Sequence, residues 1–162
     1  VDFSNGALDI ARQMSSGNNP EYYCASMLDL ADKNKFDAIF CWGSIAIACK
    51  DSRDLRKVMA NLHAALKDRG ELLLLEPIHA GFLHRVLDMN VKEFVSIVRE
   101  SGFDIKFVKP LHFWPARLLL AYFPMPKWLT ESVYHIGQLL MKLPVLSNLG
   151  DYHAIHAVRM SN

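Results

Sequence analysis

A few spacings in this sequence place reactive side chains where they could do chemistry. Trp42-Gly43-Ser44-Ile45-Ala46 sets a serine just past an apolar run, as a nucleophilic serine would stand. The second glycine of a strained strand-to-helix elbow is missing, so serine-hydrolase chemistry is disfavoured. His153 and His156 are three apart in a strand-like segment and therefore face opposite ways, which argues against joint metal ligation. Cys24, Cys41 and Cys49 are spaced 17 and 8 apart with no C-x-x-C. They read as free thiols of a reducing, cytoplasmic setting, and Cys41, inside an apolar run, reads as a buried one. Any of the seven histidines, taken singly, is first of all a solvated loop residue.

Composition narrows the field. At about 150 residues per domain, 162 residues make one domain. A 51% hydrophobic content against 22% charged residues describes a chain with a sizeable core, not a disordered one. Eighteen basic and seventeen acidic side chains leave no field for nucleic acid or an anionic surface, and no basic-aromatic stripe is present. The greasiest region, Arg117 to Leu146, is broken by Pro124, Pro126, Lys127, Glu131 and Lys142, so no integral membrane segment is expected. Residues 103–162 carry 6 basic and 3 acidic side chains, against 12 and 14 in residues 1–102.

The elements that must position any site follow from periodicity. Ser4 to Ser16 predicts a helix capped by Ser4 or Asn5, with Ala7, Leu8, Ala11 and Met14 on one face, ended by Gly17-Asn18-Asn19-Pro20. Glu21 to Ser26 predicts a short strand, and Phe36 to Trp42 a stronger one, apolar on both faces. Asp51 or Ser52 opens a helix whose inner face is Leu55, Val58, Met59, Leu62, Ala65 and Leu66, with Gly70 as its stop. Glu71 to Glu76 predicts a buried strand. Asn90-Val91-Lys92-Glu93 starts a helix with Phe94, Val95, Ile97 and Val98 inward and Gly102 as terminator. Phe103 to Val108 alternates as a strand. Pro110 to Gly150 predicts a long connection holding a helix near Thr130 to Leu143, and Asp151 to Met160 a last strand. This order favours a layered α/β sheet.

The order and its punctuation resemble class I S-adenosylmethionine-dependent methyltransferases of the small-molecule type (methyltransferase type 11/12-like). Val1-Asp2-Phe3-Ser4 before an Ala-Leu-x-x-Ala helix resembles the end of that family's second strand, and Cys24 to Leu30 the loop after its third. Lys35 to Cys41 resembles the fourth strand, and Leu66-Lys67-Asp68-Arg69-Gly70-Glu71-Leu72-Leu73-Leu74 the approach to the fifth. Glu100 to Ile105 and Asp151 to Met160 match the sixth and the antiparallel seventh. The resemblance implies a Rossmann-like α/β fold: a mostly parallel sheet flanked by helices, with an antiparallel last strand.

It also implies roles. With S-adenosylmethionine as cofactor, Asp2 would accept the ribose hydroxyls, or else serve as a helix cap. Phe3 would lie against adenine, or else anchor core. Ser26 stands where relatives often carry an acid, Met27 would offer its backbone N–H to adenine, and Cys41 and Trp42 would border the methionine end. A proton-bearing acceptor needs a general base. His79 is the first candidate, with Glu76 and His84 near it and His112 and Tyr122 weaker; Ala46 stands where several relatives carry histidine. The segment 110–150, with Trp114, Tyr122 and Trp128, would roof a hydrophobic small-molecule pocket, pack on the sheet, or form a homo-oligomer interface. Trp114 and Tyr122 are then the expected substrate contacts.

The family's glycine-rich turn after the first strand has no counterpart in the sequence. The resemblance therefore leads to the expectation of an N-terminally incomplete domain spanning 1–162, with roughly 40–60 further residues preceding it and little cofactor affinity on its own. A non-catalytic interaction or assembly module is the alternative.

Overall fold

A computed structural model describes residues 1–15, 20–81, 86–143, 146 and 149–161. Helix α1 (Asn5–Met14) begins where Ser4 Oγ accepts the Ala7 N–H at 3.3 Å. Of its expected inner face only Leu8 is buried, and Met14 is exposed. The stop expected at 17–19 lies outside the described residues. The strand expected over 21–26 does not form; a single parallel bridge joins Asp2 to Cys24, and a 3-10 turn follows at Met27–Asp29.

Strand β1 (Phe36–Trp42) agrees with its expected bounds, and a short helix α2 (Ile45–Ala48) follows it. Helix α3 (Ser52–Ala65) is capped by Asp51, whose carboxylate accepts the Arg53 and Asp54 N–H groups at 2.9 Å each. Gly70 does not stop this helix. Leu66 is already extended and pairs with Phe36, so β2 runs from Leu66 to Glu76 with Gly70 inside it. Glycine is needed there because a Cβ would lie 2.9 Å from the Lys67 carbonyl and 3.2 Å from that of Asp37.

Helix α4 (Val91–Glu100) is capped by Asn90, buries Phe94, Val95, Ile97 and Val98, and ends at Gly102, whose φ is +92°. Strand β3 (Phe103–Phe113) runs five residues past its expected end and contains Pro110. Proline is tolerated because β3 is an edge strand. The connection that follows holds two helices, α5 (Trp114–Tyr122) and α6 (Lys127–Leu140), where one was expected. Strand β4 (Gly150–Arg159) closes the fold.

The sheet order is β1-β2-β4-β3, with β1 parallel to β2 and β4 antiparallel to both of its neighbours. The α/β class and the reversed last strand are therefore as expected. One sheet face, with Leu72, Leu74, Ile155 and Ala157, packs under α3 and α4 to form the core. The other face keeps Phe40, Leu73 and Phe107 partly in solvent, so β1 is not covered on both sides as its composition suggested.

Candidate functional site

Two cavities are built around the carboxyl ends of the parallel strands, where open α/β sheets place their ligands. The larger, about 490 Å³, follows the outer edge of β1 and is closed on its far side by residues 1–3 and 25–30. Asp2 is fixed there by main-chain bonds, its N–H donating to Tyr23 (3.2 Å) and its carbonyl accepting from Ala25 (3.0 Å). Its carboxylate is not the helix cap, because Ser4 takes that role; Asp2 Oδ1 accepts the Ser4 N–H at 2.7 Å. Phe3 lines the same cavity and is largely exposed.

Ser26 and Met27 form its rim. Ser26 Oγ caps the 3-10 turn by accepting the Leu28 N–H at 3.2 Å, and the Met27 carbonyl is held by Asn61 Nδ2 at 3.0 Å. Cys41 lines the cavity as well, and burial beside Glu76 pushes its thiol up to about 12, so it stays protonated. Trp42 does not join it. It is not part of the cavity's lining and is 68% exposed. A mostly apolar groove with one carboxylate at its end fits a nucleoside. No glycine lines it among the described residues, so no close backbone approach of the glycine-rich kind is present for the charged tail of such a ligand.

The smaller cavity, about 260 Å³, lies past the end of β2 and is lined by His79, Trp114, Arg117, Leu118, Ala121, Tyr122 and Asp151. His79 meets here Trp114 and Tyr122, the two expected substrate contacts of the 110–150 segment. Two residues that the sequence did not single out, Asp151 and Arg117, complete the polar corner. Asp151 is 5% exposed and His79 8%. The His79 Nε2 to Asp151 Oδ1 distance is 3.5 Å, and Arg117 Nη1 pairs with Asp151 Oδ2. Arg117 also lies over the Tyr152 ring, 6.0 Å from its centroid. A lone cation on the apolar helix α5 was the available signal for Arg117. Asp151 had none, because only the antiparallel pairing of β4 brings its first residues to the end of β2.

Glu76 is different in kind. It is fully buried, with Oε1 accepting the N–H groups of Ser44 (3.1 Å) and Ile45 (3.2 Å) and Oε2 that of Ala46 (3.1 Å). Burial raises its carboxyl above the ordinary glutamate value, while those N–H groups, Ala46 first, pull the other way. Its oxygens serve the start of α2 and line neither cavity. His112 stands in β3 with φ +56°, against Tyr134 and off both cavities; burial, then Arg117, lowers its pKa. His84 lies outside the described residues. Ser44 lines the larger cavity, and a Cβ on the neighbouring Gly43 would sit 3.8 Å from the hydroxyl of Tyr152. His153 is buried and His156 half-buried, as opposite strand faces require. No cluster that could hold a metal ion occurs among the described residues, and none of the helices formed by them is long and apolar enough to cross a membrane.

Residues 1–70 match the family described as a methyltransferase domain. Comparison with curated proteins finds no match. Among solved structures, the chain superposes on the 4+2 cyclase SpnF at TM-score 0.59 and 18% identity, covering 96% of this chain and 62% of that one. It superposes on an S-adenosylmethionine-dependent methyltransferase from Mesorhizobium loti at 0.62 and 15%, covering 97% and 77%. A methyltransferase of the same dependence from Methanosarcina mazei gives 0.64 and 10%, covering 99% and 81%. The chain thus spans under two thirds of the cyclase's length.

Proposed function

We propose that this chain, a class I S-adenosylmethionine-dependent methyltransferase by its fold and by the family match of its first 70 residues, serves methyl transfer to a small, largely apolar acceptor. The observation that carries this reading is the pair of cavities near the carboxyl ends of β1 and β2, one suited to a nucleoside and one walled by aromatic side chains beside a histidine.

When bound, S-adenosylmethionine supplies a methyl group activated on a sulfonium sulfur; everything else falls to the chain. Asp2 holds vicinal hydroxyls, Phe3 covers a planar base, and Ser26 and Met27 edge the same groove. Trp114 and Tyr122 exclude water and orient the acceptor. His79 takes the acceptor's proton. Glu76 acts through the main chain, by holding the start of α2 beside the groove. Trp42, turned outward, has no part in this assignment.

Titration with S-adenosylhomocysteine tests the reading by following backbone NMR shifts of residues 1–3 and 25–30. Binding is expected in the millimolar range, weak because the charged tail finds no glycine-lined turn. Asp2→Ala should weaken it by about tenfold, the loss of one charge-assisted hydrogen-bonded pair. Absence of shifts at millimolar ligand, or binding indifferent to Asp2, overturns it.

The outward apolar side chains Trp128, Ile136 and Leu139 of α6 favour a second reading, a methyltransferase-like assembly module. A chain that ignores S-adenosylhomocysteine yet self-associates through α6 would decide for that alternative.

A further inference from the structure

The rim of the larger cavity is held in place from behind, by a side chain of the neighbouring helix. We infer that Asn61 of α3 is a positioning residue for the nucleobase: it fixes the rim at the spacing that a two-ring base fills, and so gives the groove its preference for purine over pyrimidine nucleosides. This assignment rests on the reading of the larger cavity as the nucleoside site.

The groove has two walls of different kind. One is β1, fixed in the sheet by its pairing with β2. The other is the turn at 25–30, tied to residues 1–3 by the single bridge between Asp2 and Cys24. Within that turn, Ser26 Oγ accepts the Leu28 N–H at 3.2 Å and the Ser26 carbonyl accepts the Asp29 N–H at 3.0 Å. Such internal bonds shape the turn but leave its distance from β1 free. Asn61 sets that distance. Its Nδ2 donates to the Met27 carbonyl at 3.0 Å and to the Leu28 carbonyl at 2.9 Å.

An amide nitrogen carries two hydrogens, and both are spent on the rim. Two acceptors beside one atom also fix which end of the amide is nitrogen. Helix α3 packs on the sheet, and Leu62, next to Asn61, lines the groove itself, so the rim is referred to the same sheet that carries β1. Lys57, one turn earlier, lies 3.7 Å from Asp29, but both side chains are more than half exposed and such a pair adds little. Without the Asn61 donors, two half-buried carbonyls lose their partners, and the turn relieves the loss by moving toward water. The rim then holds the bound spacing only part of the time, and affinity for a ligand that needs it falls by that fraction. A purine meets Phe3 and the rim together. A pyrimidine held at Asp2 by the same ribose hydroxyls has one ring fewer and covers less of the rim, so its affinity depends less on where the rim stands.

The test titrates adenosine and uridine, each followed by the backbone NMR shifts of residues 1–3 and 25–30. The parent should bind adenosine about tenfold more tightly than uridine, the effect of one further ring buried. Asn61→Leu keeps the size of the side chain and removes its donors. It should weaken adenosine about tenfold and uridine about twofold, so that the preference falls to about twofold. Asn61→Asp sets a carboxylate against the same two carbonyls and should do at least as much. Asp2→Ala should weaken both nucleosides by the same factor, because both carry the ribose hydroxyls, and leave the preference as it was. Circular dichroism and the urea midpoint confirm that each variant is folded. A folded Asn61→Leu that keeps the parent's preference, or that loses adenosine and uridine equally, overturns the inference and leaves the cofactor reading standing. A parent whose residues 1–3 and 25–30 respond to neither nucleoside overturns both.

Discussion

Glu76 shows how residue type and position can mislead until the partners are known. A carboxylate at the end of a parallel strand has the address of an acid-base group. Its environment makes it a structural anchor, since both oxygens are occupied by the N–H groups of Ser44, Ile45 and Ala46. Glu76→Ala would leave three donors, two of them buried, without an acceptor, and is expected to cost about 3 kcal/mol of stability in urea unfolding. Loss of fold, not a change confined to a proton-transfer step, is the expected signature. His79 has the opposite history. By sequence it is the first candidate base, and the structure sets it 3.5 Å from the buried Asp151. Cys41 and Cys49 match their apolar context: both are buried, and burial pushes both thiols up to about 12.

At the scale of elements, helix starts were the most legible features. Ser4, Asp51 and Asn90 each cap the helix expected of them, because a short polar side chain before an apolar period has a strong local reason to bond the first free N–H groups. Asp51 also gives the fold a pH term. The N–H of Asp54, then that of Arg53, holds its carboxyl below the ordinary aspartate value. A folded-state pKa below the unfolded one means that this stabilisation is present above the unfolded value and is lost as pH falls through the folded one. Asp51→Asn keeps the cap but removes the titration. Its urea midpoint should therefore decline less steeply than the parent's as pH falls through the carboxylate range. Strand ends were less legible. Gly70 reads as a helix stop and Pro110 as the start of the long connection, yet one lies where two backbones approach and the other on a sheet edge. Both meanings depend on the neighbouring strand.

For the whole molecule, the sheet order sets where protection is greatest. Strands β2 and β4 are paired on both sides, whereas β1 pairs only with β2 among the described residues. Hydrogen exchange should be slowest in β2 and β4, while about half of the β1 amides, those facing away from β2, exchange as fast as loop amides. Uniform protection across all four strands would contradict this order. The same order brings His79 and Asp151 together, since antiparallel β4 enters the sheet at the end where parallel β2 leaves it.

The sequence by itself determined the α/β class, the three capped helices and the core faces of α3 and α4. These depend on periodicity and on side chains bonding their own neighbours, both local in the chain. Only the tertiary structure decided the second helix of the 110–150 segment, the outward turn of Trp42, the anchoring role of Glu76 and the meeting of His79 with Asp151 and Arg117. Those outcomes depend on which strand lies beside which, and on charges that find each other across 34 and 72 positions of chain. No local pattern encodes that separation, so the site's chemistry became readable only once β4 was seen beside β2.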